Sequence, residues 1–141
     1  MEILHPMLAM MALSATMILV LLSSRLPAII KNFPNLQGAK HSDELRAHYA
    51  NTNWRYITDN YNHIFEQPTL FYAICLYIYI AESADDLHIQ LAWGYVLLRL
   101  VHSMIHISVN NVAARAGSFI LSSVCLIGLV GREAISLLSS I

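Results

Sequence analysis

Four long apolar stretches alternate with polar connections along the chain. They run over about residues 3–30, 54–81, 88–109 and 116–138. Each approaches the ~20 apolar residues that a helix needs to cross the hydrocarbon layer of a bilayer. The pattern therefore predicts an all-α, integral membrane four-helix bundle in a single domain over residues 1–141. The first stretch is longer than the apolar core of a secretory signal, and no small-residue cleavage site follows it before Arg25 and Lys31. It is read as a retained helix. The fourth carries Gly117, Gly128, Gly131 and several serines, small residues that let helices approach closely in lipid.

Composition agrees with this class. Of 141 residues, 57% are hydrophobic and 12% are charged, against about 25% charged in soluble domains. Mean hydropathy is +0.54, and a soluble core in so short a chain has no room for that much apolar surface. A net charge of −1 implies no attraction to nucleic acid or to acidic lipid. Cys75 and Cys125 lie inside apolar runs. They read as small hydrophobes, with no disulfide or metal-ligand spacing.

The connections give an orientation. The first is long and polar, from about Lys31 to Asn53, with Pro34 and Gly38; it and its flanks hold Arg25, Lys31, Lys40, Arg46 and Arg55. The second is short and acidic, Glu82 to Asp86, and the third is a tight turn around Asn110, Asn111 and Arg115. Basic residues mark cytoplasmic loops. The first and third connections are thus expected in the cytoplasm and both chain ends outside, with Arg132 a minor dissent.

One segment resists a purely lipidic reading. The second apolar stretch begins NYNHIFEQPTLF, with Asn60, Asn62, His63, Glu66 and Gln67. Counted from Trp54, Glu66 lies roughly 18 Å along a helix rising about 1.5 Å per residue. Counted back from Asn110, Arg99 reaches the same level. The two are expected to pair, since an unpaired charge at that depth costs several kcal/mol. Arg99, His102, His106 and Asn110 share one helix face by spacing, as do Asp59, Asn62, His63 and Glu66. His63 falls level with His102, and Asp59 with His106. Such residues serve as hydrogen-bonding glue in many bundles. A ladder with an arginine and a glutamate at depth points instead to a polar cavity open to the cytoplasm. Tyr72, Tyr77, Tyr79 and Trp93 are expected to pack or to anchor at interfaces. His5 and His88 are expected to be solvated near the outer surface, and Asp43, Glu44 and Arg46 to form a wet loop.

Asn60-Tyr61-Asn62-His63-Ile64-Phe65-Glu66-Gln67-Pro68, followed by Leu70-Phe71-Tyr72-Ala73, resembles the second-helix signature of the MAPEG family, membrane-associated proteins in eicosanoid and glutathione metabolism. Arg99-Leu100-Val101-His102-Ser103-Met104-Ile105-His106, with Asn110 and Arg115, resembles its third-helix signature. The likeness is nearest to the bacterial branch, which implies the inner membrane. The resemblance implies a homotrimer of four-helix protomers, with glutathione bound between protomers toward the cytoplasm. It implies that Arg115, near the start of the fourth helix, stabilises the thiolate. Glu66 matches the family's second-helix glutamate, and Arg99 and His102 its Arg-x-x-His element.

The sequence also departs from that pattern. Asp59 stands nearest to where an arginine is usual, with Arg55 one turn earlier as a substitute cation. His63 replaces an asparagine, and His106 a tyrosine. The resulting expectation is a glutathione-dependent transferase or peroxidase acting on small lipophilic electrophiles from the bilayer. Arg115, His102 and His106 would carry the chemistry. Arg55, Asp59, Asn62, His63, Glu66 and Arg99 would bind glutathione. Arg115 can only stabilise charge, because a guanidinium stays protonated; the histidines can act as acid or base. The alternative is a non-catalytic member that binds a lipophilic ligand or a partner subunit. A proton path along the histidines and Glu66 is a weaker third reading.

Overall fold

The computed structural model describes residues 1–32 and 53–139; the first connection, with Lys40, Asp43, Glu44 and Arg46, lies outside the described residues. Among the described residues five helices follow in order: α1 Leu4–Asn32, α2 Asn53–Ile64, α3 Pro68–Ile80, α4 Asp86–Ile107 and α5 Val112–Ser139. No strand occurs among the described residues. Two spans, Leu4–Lys31 and Val112–Ser139, are long and apolar enough to cross a bilayer.

Helices stand over all four apolar stretches, but the helix over the second is broken. Phe65, Glu66 and Gln67 form a turn between α2 and α3. The cause is Pro68, the first residue of α3. Proline has no N–H to give to the Ile64 carbonyl, and its ring clashes with that carbonyl, so a helix stops before it and a new one starts on it. The last bonds of α2 tighten accordingly, Phe65 N–H to Asn62 O at 3.2 Å and Glu66 N–H to His63 O at 3.4 Å. The outer helix limits also move by a few residues, with α4 beginning at Asp86 and α5 at Val112.

α4 and α5 pack along each other most extensively, while α1 lies against α2, α3 and α4. Met10, Leu13 and Met17 of α1 meet Ile64, Phe71, Ile74 and Tyr95 in the apolar core. The Phe71 and Tyr95 rings stack with centroids 4.4 Å apart. Two polar contacts tie α1 in: Ser14 Oγ to Tyr72 Oη at 3.1 Å and Asn60 Nδ2 to the Met17 sulfur at 3.2 Å. Gly94 permits the close α4–α5 approach, since a Cβ there would stand 3.3 Å from Cys125 Sγ. Large apolar side chains cover the outside, among them Leu19, Leu97, Ile127 and Leu138, as a lipid-facing surface requires.

The end near the second connection is closed by charge. Asp85 caps α4, accepting from His88 N–H at 2.9 Å, and the His88 ring receives the Asp85 N–H in return. The His88 ring lies between two carboxylates, Nδ1 at 2.9 Å from Asp85 Oδ1 and Nε2 at 3.1 Å from Glu133 Oε1. Ser83 Oγ donates to the same Glu133 oxygen at 2.9 Å, and Arg132 pairs with Asp85. The expectation that His88 is solvated is therefore corrected: the residue is buried. Besides the local Asp85, it meets Glu133 and Arg132 from the far end of α5, Glu133 lying 45 positions along, and nothing local in the sequence places these two beside it. Arg132, which counted against the loop orientation, is held in this cluster.

Candidate functional site

The break at Pro68 also shapes the polar region at the other half of the bundle. Arg99, fully buried on α4, sends Nη2 to the His63 backbone carbonyl at 2.8 Å. In a continuous helix that carbonyl would take the Gln67 N–H; here the helix has ended. The guanidinium carbon lies 5.6 Å from the centre of the Phe119 ring, within cation–π range. Arg99 Nε and Nη1 have no hydrogen-bond partner among the described residues.

The expected Glu66–Arg99 ion pair is not formed. Glu66 sits in the turn, so it no longer follows the α2 face to which its spacing assigns it. Its Oε2 lies 3.2 Å from His63 Nδ1, with the two side chains 63% and 47% exposed in the protomer. An ionised carboxylate only accepts, so Nδ1 carries the hydrogen and Nε2 is left as an acceptor.

On α4, Arg99, His102 and His106 are buried on one face, as the spacing predicts. The His102 and His106 rings stack with centroids 5.7 Å apart, and the His63 ring meets His106 edge-on at 5.9 Å. His102 Nδ1 lies 3.0 Å from the Arg115 carbonyl oxygen, which fixes Nδ1 as the donor. His102 Nε2 and His106 Nδ1 have no partner among the described residues.

The tight third turn aims Arg115. Asn110 takes a left-handed backbone, φ 48°, which asparagine tolerates better than most residues. Its N–H closes on Ile105 O at 2.8 Å. Its side-chain Oδ1 then accepts from Arg115 Nη1 at 2.7 Å. Asn111 caps α5, its Oδ1 accepting from Ala114 N–H at 3.0 Å.

His63, His102, Arg115, Ala116 and Phe119 line a cleft of about 190 Å³. Six of the nine candidate residues thus gather around one place: His63, Glu66, Arg99, His102, His106 and Arg115. The other three do not join them. Arg55 and Asp59 form their own surface ion pair at 3.7 Å, and Asn62 is exposed. Asp59 has Arg55 as its ion-pair partner, although depth alone sets it level with His106. Two members of the site escape sequence reasoning. Phe119 looks like any apolar helix residue, and the His63 carbonyl is backbone, signalled only by the proline five residues on. One turn along α5 from Phe119, Ser123 Oγ accepts from Nε2 of Gln67, in the turn before α3, at 2.8 Å, beside an apolar groove of about 330 Å³ that Leu70, Leu126 and Val130 help to form.

Among comparisons with known proteins, the family model described as MAPEG family matches residues 3–135. No curated protein and no solved structure matches the chain.

Proposed function

The chain belongs to the MAPEG family, and from that premise we propose that it is a glutathione-dependent transferase or peroxidase acting on lipophilic electrophiles. It is a membrane protein of helical-bundle type, as its family and its two long apolar helices indicate. The observation that carries the finer reading is the set of unsatisfied donors around the cleft. A buried guanidinium with two nitrogens unpartnered among the described residues is costly, and it suits a site built to receive an anionic ligand. Glutathione, here a co-substrate, brings two carboxylates, an ammonium and a thiol. Arg99 and Arg55 suit the carboxylates, while Glu66 is engaged by His63 and Asp59 by Arg55. Asn62 and His63 flank the same stretch of α2.

A free thiol ionises near pH 8.5, and a neighbouring cation favours the thiolate. Arg115 is the cation that lines the cleft, held by Asn110. The thiolate sulfur then attacks an electrophilic carbon that arrives from the bilayer, and the apolar groove beside Gln67 offers a path for it. Proton transfer falls to the imidazoles of the cleft, His102 and His106 from α4 and His63 from α2.

His63, Glu66 and Asn62 are uncovered in a single protomer, although their depth along α2 lies within the apolar layer. A homotrimer whose protomers wall each other's sites would cover them. In this reading the first and third connections face the cytoplasm of a bacterial inner membrane, and both chain ends lie outside. A second reading is a non-catalytic member that binds a lipophilic ligand or a partner subunit. The Arg55–Asp59 pair favours it, because it neutralises a cation otherwise free for a carboxylate.

The test is direct glutathione binding to the purified protein, with turnover of a halonitrobenzene. The transferase reading expects a trimer by mass, saturable binding and conjugation that Arg115→Ala abolishes while the trimer survives. Arg115→Lys should keep part of the rate, since it retains charge and loses the planar fork. Wild-type protein that neither binds glutathione nor conjugates any thiol-reactive substrate would remove this reading in favour of the second.

A further inference from the structure

Arg115 can stabilise a thiolate but cannot take the thiol's proton, so some other group must. Three imidazoles stand near enough, and they differ in what surrounds them. His102 and His106 are buried and stack on each other, His102 Nδ1 donating to the Arg115 carbonyl, on the same helix face as Arg99 and beside Arg115. Neither has a carboxylate partner among the described residues. An added proton on either would place a further positive charge among cations. His63 alone of the three contacts a carboxylate, Glu66 Oε2 at 3.2 Å from its Nδ1.

We infer that His63, held and charge-balanced by Glu66, is the general base that ionises the thiol in this cleft. This inference rests on the glutathione reading of the site. Glu66 accepts the Nδ1 hydrogen and so fixes the tautomer, which leaves the Nε2 lone pair as the proton acceptor. The His63 ring lines the same cleft as Arg115. In the step, the S–H bond breaks and its electron pair stays on sulfur. The proton forms an N–H bond at His63 Nε2, and the imidazolium is offset by Glu66. Sulfur next bonds to the electrophilic carbon as the bond to the leaving group breaks, and that group departs with its pair. His63 then returns its proton to the leaving group or to water.

The groups around His63 are Glu66 on its own chain segment, His102 and His106 on α4, Arg115 on α5, and Arg99, which also grips the His63 carbonyl. Glu66 is the carboxylate that His63 contacts among the described residues.

The discriminating measurement is proton release, not turnover. Glutathione is added to the trimer in weak buffer with a pH indicator, and thiolate is read from its ultraviolet absorbance. If His63 takes the proton, wild type forms thiolate while releasing well under one proton per site. His63→Gln should release about one proton for each thiolate formed, since no internal acceptor remains. Glu66→Gln, which keeps the shape and loses the charge, should shift release in the same direction. In turnover, His63→Ala should lose about 100-fold, the lower end of what general bases contribute, and added imidazole should restore part of the rate. Equal proton release by wild type and both variants would overturn the assignment of the base while leaving the transferase reading intact. Binding without thiolate formation would do the same. Absence of glutathione binding by wild type would remove the base and the transferase together.

Discussion

Arg99 holds the backbone of His63 and not the side chain of Glu66. The Nη2-to-carbonyl distance of 2.8 Å, with Glu66 turned to the His63 ring, makes Arg99 a brace across the helix break. One such hydrogen bond to a charged group is worth about 1.5–3 kcal/mol. Keeping a guanidinium buried with Nε and Nη1 unmatched costs several kcal/mol. The cost is the larger, so Arg99→Met should leave the ligand-free protein within about 1 kcal/mol of wild type or more stable, as replacement of buried ions often does. It should also abolish stabilisation by glutathione. A double cycle with Glu66→Gln should show a coupling below about 1 kcal/mol, carried only through their shared partner His63 and not by a direct ion pair. Thermal denaturation in detergent checks both. A coupling above about 1 kcal/mol would restore the ion pair expected from depth.

The charge cluster at the other end predicts a pH dependence. Asp85 is held below the ordinary carboxylate range, first by the His88 N–H and then by the charges of His88 and Arg132. A carboxylate depressed in the folded state contributes stability above its unfolded pKa and loses it as pH falls through the folded one. Asp85→Asn keeps a capping side chain and removes the charge. Its Tm should lie below wild type at neutral pH, and the two should converge as the pH is taken below about 4, the unfolded value. A constant difference across that range would show that the charge plays no part.

Gly94 should tolerate alanine poorly. The added Cβ would stand 3.3 Å from Cys125 Sγ, across the closest α4–α5 approach. Overpacking of this kind costs about 1–3 kcal/mol. Cys125→Ala in the same chain removes the obstructing sulfur and should recover most of the loss. If Gly94→Ala is neutral, Cys125 turns aside freely and the α4–α5 contact does not depend on it.

The helical stretches, the tight third turn and the buried face of Arg99, His102 and His106 were legible in the sequence because each follows from length, turn chemistry or helical spacing alone. Depth arithmetic also set Glu66 and Arg99 at one level. It carries no information about rotation, and Pro68 changed the rotation by ending α2 at Ile64. The proline was visible but was read as lying within a continuous pass. His88 was misplaced for another reason. Asp85 three residues before a histidine is a local capping signal, but burial of the ring depends on Glu133 and Arg132, which reach it only through the antiparallel packing of α4 on α5.

The Arg55–Asp59 pair gives the most direct test of how the α2 departures act. The carboxylate lies 3.7 Å from Arg55 Nε, one turn away, and both side chains are substantially exposed. Such a pair contributes little to stability, ~0.2–1 kcal/mol, so breaking it is cheap. Its effect on an anionic ligand is larger in proportion, because Asp59 both occupies Arg55 and repels a carboxylate. Asp59→Asn should free Arg55 and tighten glutathione binding by up to about fivefold, the equivalent of ~1 kcal/mol. Asp59→Arg should tighten it further, since it adds a cation where a repulsive charge stood. The same Asp59→Asn change in an Arg55→Ala background should tighten binding less, because only the repulsion is relieved. Calorimetric titration of wild type, Asp59→Asn, Arg55→Ala and the double variant separates the two contributions. If Asp59→Asn weakens binding instead, the carboxylate is holding the ligand's ammonium, and Arg55 serves to keep Asp59 in place.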